Sequence, residues 1–164
     1  KPDWSPGEAS ALLDRINPAY YDRIAIHRHH ELAQRYRISR IHFREQERNN
    51  ADHADSACHL STSVHSVDDV AALSEHYTYA FLGPVFDSIS KVGYTAKKIT
   101  AADLRTERKV KLVAIGGIDG NNLAQAIQLG FDGVALLGSV WKAADPVSEF
   151  ISIKKVYEQC VSMH

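Results

Sequence analysis

The chain has 164 residues, 45% hydrophobic and 24% charged, with 19 basic and 20 acidic side chains and a formal net charge of -1. That length and apolar content support one packed domain and exclude a disordered chain, while the balanced charge speaks against a nucleic-acid surface or a polybasic membrane anchor. Two cysteines, Cys58 and Cys160, are too few for a disulfide framework and match no zinc pattern; no apolar stretch approaches the ~20 residues of a membrane span and no secretory signal opens the chain, so a reducing, cytoplasmic setting is expected.

Ser5-Pro6-Gly7-Glu8 is the first helix signal. Ser5 can cap, Pro6 suits the first helical position, and Glu8 can reach back in a capping box. Ala11, Leu12 and Ile16 follow at helical spacing, and Asn17-Pro18 ends the run. Residues 23–26 read as a short strand, 31–36 as a short helix and 38–43 as a second strand. The polar segment 44–57 is a loop with at most a helical turn. Residues 59–64 form the next strand, Ser66 to Asp69 a second capping signal, and 77–82 a strand broken by Gly83-Pro84. The Ser/Lys/Gly-rich loop 85–98 leads to a short helix opened at Thr100. The run 105–111 reads as a solvated charged face. Residues 111–115 form an apolar strand ending in Gly116-Gly117. Asp119 caps a helix that ends before Gly130, 133–137 is the last strand, and Asp145-Pro146 opens a final helix with Phe150, Ile153, Val156 and Tyr157 on one face. Six strands alternating with helices about every 20 residues are the pattern of βα units around a parallel sheet.

In such folds, function gathers at the carboxyl ends of the strands. Histidines stand at three of them: His27, His42 and His65. His65 is placed to move protons or to bond at the rim. His42, inside an apolar triplet, is expected to be buried and satisfied. The three together are a candidate metal set. Glycines end two later strands, as Gly116-Gly117 and as Gly138 followed by Ser139. Backbone amides there can approach an anion closely, or the glycines serve only tight turns. Ser88, Ser90 and Lys91 place two hydroxyls and an ammonium in one long loop, a composition suited to phosphate or carboxylate and also to a plain solvated loop.

Ser61-Thr62-Ser63-Val64-His65-Ser66, Leu82-Gly83-Pro84-Val85-Phe86, Ser88-Ile89-Ser90-Lys91, Val113-Ala114-Ile115-Gly116-Gly117-Ile118 and Gly130-Phe131-Asp132-Gly133-Val134-Ala135 occur in this order. Together they resemble the thiamine-phosphate synthase / TenI superfamily. The resemblance implies an α/β fold, a (β/α)8 TIM barrel, that binds a thiazole phosphate in thiamin biosynthesis. It implies one of two enzymes: an isomerase, the TenI-like thiazole tautomerase, which needs no cofactor, or a transferase, thiamine-phosphate synthase, which joins a pyrimidine pyrophosphate to the thiazole phosphate using Mg²⁺. A catalytically silent phosphate-binding barrel is a third reading. Carried over, Gly116, Gly117, Gly138 and Ser139 cradle phosphate; His27, Ser63, Ser88, Ser90 and Lys91 bind substrate; His65 transfers the proton; and Glu47 is a Mg²⁺ carboxylate in the synthase case. The Asn-Asp pair of synthases is here His27-Arg28, and Arg44 replaces a small residue near Glu47. A cation at position 28 opposes a metal, so the tautomerase is the favoured reading. The small-molecule partner is the thiazole phosphate.

Such barrels typically need ~200 residues or more. The chain opens on a helix, so residues 1–164 are expected to be a single domain lacking the first two strands and first helix of the barrel. Its open edges then call for a longer chain or a second subunit, with a homodimer as one form.

Overall fold

The computed structural model describes residues 3–86, 99–104 and 108–162. It divides into two compact units, one of Lys1–Ser63 with Ser74–Thr78 and one of Val64–Leu73 with Tyr79–His164.

In the first unit, α1 (Pro6–Leu13) begins as the sequence predicts. The Glu8 amide donates to Ser5 Oγ at 3.3 Å, and the Ser5 amide donates to the Glu8 carboxylate at 2.9 Å. The predicted strand at 23–26 does not form. Asn17 Oδ1 accepts from the Ala19 amide at 3.0 Å and starts a 3-10 helix, Pro18–Arg23, that takes up the first of those residues. What remains is a single parallel bridge, Ile26 to Ile41, with Ile26 N donating to Arg40 O and Ile26 O accepting from His42 N, both at 2.9 Å. Then come α2 (Glu31–Tyr36), closed by Arg37 at φ +55°, and β1 (Arg40–Phe43). Ser10 on α1 and Tyr36 on α2 bond hydroxyl to hydroxyl at 2.5 Å. β2 (His59–Val64) pairs in parallel with β1, from Arg40 opposite His59 to Phe43 opposite Thr62. Both faces of β2 are buried, as a parallel strand between helices requires. The loop expected at 44–57 carries a 3-10 helix, Glu45–His53.

The second unit holds α3 (Val67–Ala71), opened by a Ser66–Asp69 capping box, and β3 (Tyr77–Leu82), whose first two residues fall in the first unit. It continues with α4 (Ala101–Leu104), β4 (Lys111–Ala114), α5 (Leu123–Leu129), β5 (Gly133–Val134), α6 (Gly138–Trp141) and α7 (Pro146–Ser162). β4 pairs in parallel with β3 and with β5, and Val113 and Ala114 face Gly133 and Val134. Leu82, Ala80, Leu112, Ala114 and Leu123 are fully buried.

Four expectations change here. Asp119 does not cap α5 directly: its Oδ1 accepts from the amides of Asn121 and Asn122 at 2.8 and 3.2 Å, so it closes a turn and the helix starts only at Leu123, with Asn122 at its N-cap. The last strand is two residues long. After Ala135 N donates to Ala114 O at 2.8 Å the chain turns into α6, which the sequence reading lacked. On α7, which packs against α5 and α6, only Ile153 of the four expected apolar residues is buried, and Phe150 is half exposed. Within 105–111, Arg108 is no solvated charge. Its guanidinium donates to Leu104 O, and to Gly130 O and Asp132 Oδ2 at 2.8 Å each.

Candidate functional site

In the first unit, the strand ends carry stacked imidazoles. His42 is 3% exposed and lies 4.2 Å from His27, ring over ring. Ser61 Oγ donates to Ile41 O at 3.4 Å, so it accepts from His42 Nδ1–H at 3.0 Å. That leaves Nε2 to accept from the Ser63 hydroxyl at 3.2 Å. Burial, then the neighbouring His27 and His30, push the His42 pKa down to about 4. The expectation of a buried, satisfied histidine holds. His27 has one ring face covered by His42, and this desolvation, with His30 close by, lowers its pKa too. Ser63 points its hydroxyl at His42, while its carbonyl accepts from Arg48.

In the second unit, His65 follows β2. Its Nδ1–H donates to Gly83 O at 3.2 Å, which assigns the basic electron pair to Nε2. Gly83, before a cis bond to Pro84, packs on the end of β4: Val85 N donates to Ile115 O at 3.0 Å and Phe86 N to Gly116 O at 3.2 Å. A Cβ at Gly83 would lie 2.0 Å from Ile115 O. Gly116 and Gly117 both have positive φ, +93° and +68°. Asn122 Nδ2 donates to Gly117 O at 2.7 Å and holds the turn. Because β4 and β5 pair in parallel, the Gly116-Gly117 turn after β4 and the segment that leads from β5 to Gly138 and Ser139, the first residues of α6 rather than the expected turn, leave neighbouring strands at the same end. Ser139 Oγ is buried and has no hydrogen-bond partner among the described residues. A buried hydroxyl without a partner costs about 1–3 kcal/mol, which a bound oxyanion offsets. The amides at the start of α6 have no intrahelical acceptor either. Ser88, Ser90 and Lys91 lie outside the described residues.

Glu47 is not placed as a metal ligand. Arg44 donates through Nε to Glu47 Oε2 at 3.1 Å and through its NH2 group to Oε1, and the Arg44 amide donates to Oε2 at 3.2 Å. Arg44 holds the Glu47 carboxyl at a pKa of about 2. Both residues line a cavity of about 580 Å³ that they share with Arg28, His29 and His30. A carboxylate with both oxygens engaged by one guanidinium and a second guanidinium in the same cavity does not fit Mg²⁺, which needs free carboxylate oxygens. Among the described residues no three of His, Cys, Asp and Glu converge as metal ligands, so the set His27, His42 and His65 is not a metal centre. No described helix is long and apolar enough to cross a membrane.

The family described as thiamine monophosphate synthase matches residues 9–140. The thiamine-phosphate synthase of Anoxybacillus flavithermus is 34% identical over 107 residues, 61% of this chain and 46% of that protein. That of Lysinibacillus sphaericus is 31% identical over 100 residues, 58% of this chain and 46% of that protein. The chain thus spans about half the length of the curated relatives it matches. The crystal structure of thiamine phosphate pyrophosphorylase from Bacteroides thetaiotaomicron superposes with a TM-score of 0.77 at 28% identity, covering 96% of this chain and 81% of that one. The Pyrococcus furiosus thiamine phosphate pyrophosphorylase gives 0.76 at 16% identity, covering 96% and 80%, a likeness of fold alone. The α/β reading of parallel strands and helices from a (β/α)8 barrel holds, and the motifs that carry the resemblance all fall inside the matched span. By that match, the chain belongs to the thiamine monophosphate synthase family.

Proposed function

We propose that this chain binds a thiazole phosphate at the ends of β4 and β5 and serves the joining of a pyrimidine pyrophosphate to it, with release of pyrophosphate. The observation that carries phosphate binding is the buried Ser139 hydroxyl without a partner, beside a two-glycine turn on the adjoining strand. Preorganised amides and a hydroxyl at such a place hold phosphate oxygens without reorganisation. The relatives' names favour the joining reaction over the tautomerisation that the sequence reading put first.

A second reading, the thiazole tautomerase, is favoured by one feature. The Gly83 carbonyl fixes the His65 tautomer and leaves Nε2 as a base at a strand end. Calorimetry with the thiazole phosphate, together with product analysis, tests both. Ser139→Ala is expected to weaken binding about tenfold, the worth of one hydrogen bond to a charged group. Unchanged affinity removes the cradle. Thiamin phosphate formed from both substrates supports the joining reaction. Proton exchange on a thiazole carboxylate phosphate, abolished in His65→Ala, supports the tautomerase instead.

A further inference from the structure

We infer that the cavity between the carboxyl end of β1 and the start of α2, within the first unit, is a metal-independent oxyanion site with Arg28 as its principal contact. Two guanidinium groups, Arg28 and Arg44, line it. Their states differ. Arg44 spends two of its donors on Glu47. Arg28 has no hydrogen bond or ion pair among the described residues, so all five of its donors are available. The imidazoles in the wall are used to build it. His29 Nε2–H donates to Trp4 O at 2.8 Å, and His30 Nε2–H donates to His42 O at 3.1 Å while its ring meets Phe43 edge-on. These bonds fix the wall around Arg28.

The charge arrangement excludes a cation and leaves room for an anion. Glu47 is neutralised in place by Arg44, and a planar fork such as that of Arg28 matches phosphate oxygens two at a time. Asp3, on the same lining, opposes an anion and limits its affinity. At about 580 Å³ the cavity is large enough for a condensed phosphate. The ligand class is therefore a phosphate-type oxyanion, held by guanidinium where a metal carboxylate would otherwise stand. This deepens the joining reaction proposed above and rests on it for the choice of pyrophosphate, that reaction's leaving group, as probe.

Titration calorimetry with inorganic pyrophosphate on the full chain, once in EDTA and once with Mg²⁺, tests the inference. Saturable binding is expected in EDTA. Arg28→Gln is expected to weaken it about tenfold or more with circular dichroism unchanged. Glu47→Gln is expected to tighten binding, because it removes a negative charge and releases Arg44's donors. A metal carboxylate gives the opposite sign: Glu47→Gln then abolishes binding. No saturable binding in EDTA, binding only with Mg²⁺, or affinity unmoved by Arg28→Gln each overturns the inference. If pyrophosphate fails while Ser139→Ala still weakens the thiazole phosphate, this inference alone falls. If pyrophosphate binds without metal and the thiazole phosphate does not bind, the inference stands and the thiazole-phosphate reading falls.

Discussion

A methyl group at position 116 has no space to occupy. The Cβ would stand 2.7 Å from Pro84 Cβ and 2.8 Å from Pro84 Cα, and φ is +93°. Position 117 has the milder value of +68°, close to the left-handed region that other residues enter at a cost. The two glycines therefore differ in what they do. Gly116 lets the 82–86 segment close on the end of β4, while Gly117 supplies the turn that Asn122 then holds. Gly116→Ala is expected to destabilise by about 2–4 kcal/mol, from backbone strain plus overpacking, and Gly117→Ala by about 1–2 kcal/mol. Urea unfolding of both variants checks the order, and equal costs would show that Pro84 yields freely. The Gly-Gly pair was visible in the sequence as a candidate anion turn. The hydroxyl of Ser139, without a partner among the described residues, was not, since its burial depends on the tertiary fold and not on the local sequence. Arg44's hold on Glu47 was half visible: the spacing of three allows the pair, but that both carboxylate oxygens are engaged depends on rotamers.

At the level of elements, local chemistry was legible and long-range capture was not. The capping boxes at Ser5 and Ser66 and the glycine end of α5 at Gly130 involve residues three or four apart, and all form where expected. The strand at 23–26 failed because Asn17 and Pro18 start a 3-10 helix that runs into it. No apolar pattern in 23–26 itself records that competitor. The run 105–111 misled for a related reason. Arg108 looks like one cation among several, yet its partners Gly130 and Asp132 lie more than twenty residues on. Asp132 Oδ2 also accepts from the Leu112 amide at 2.7 Å, so one carboxylate joins the start of β4 to the approach to β5, and Arg108 adds the end of α4. Arg108→Gln is expected to cost about 1.5–3 kcal/mol, the range for hydrogen bonds to a charged group, because the Asp132 carboxylate loses its counter-charge. Amide hydrogen exchange should localise the loss to α4 and the start of β4. A uniform loss, or none, would mean that the clamp does not hold these elements.

For the whole molecule, the buried imidazole sets how stability depends on pH. His42 has its pKa moved from 6.5 to about 4, so the folded chain resists a proton that the unfolded chain accepts. Stability rises with pH wherever the unfolded state binds more protons. The contribution from His42 is thus complete above about pH 6.5 and is lost progressively as pH falls toward about 4; at its full extent it is roughly 3 kcal/mol. His27, lowered in the same direction, adds to the slope within that window. The Glu47 carboxyl, at about 2, acts below it, because its depressed pKa removes stability only as pH falls from about 4.5. The two causes therefore separate on the pH axis. Urea unfolding at pH 7 and pH 5 is expected to show a clear loss at the lower pH. His42→Gln can still bond to Ser61 or Ser63 but cannot titrate, so it should shrink that difference whatever it does to stability at pH 7. An undiminished difference in the variant would place the acid sensitivity elsewhere, and the stacked pair of His27 and His42 would then be a packing feature without a role in titration.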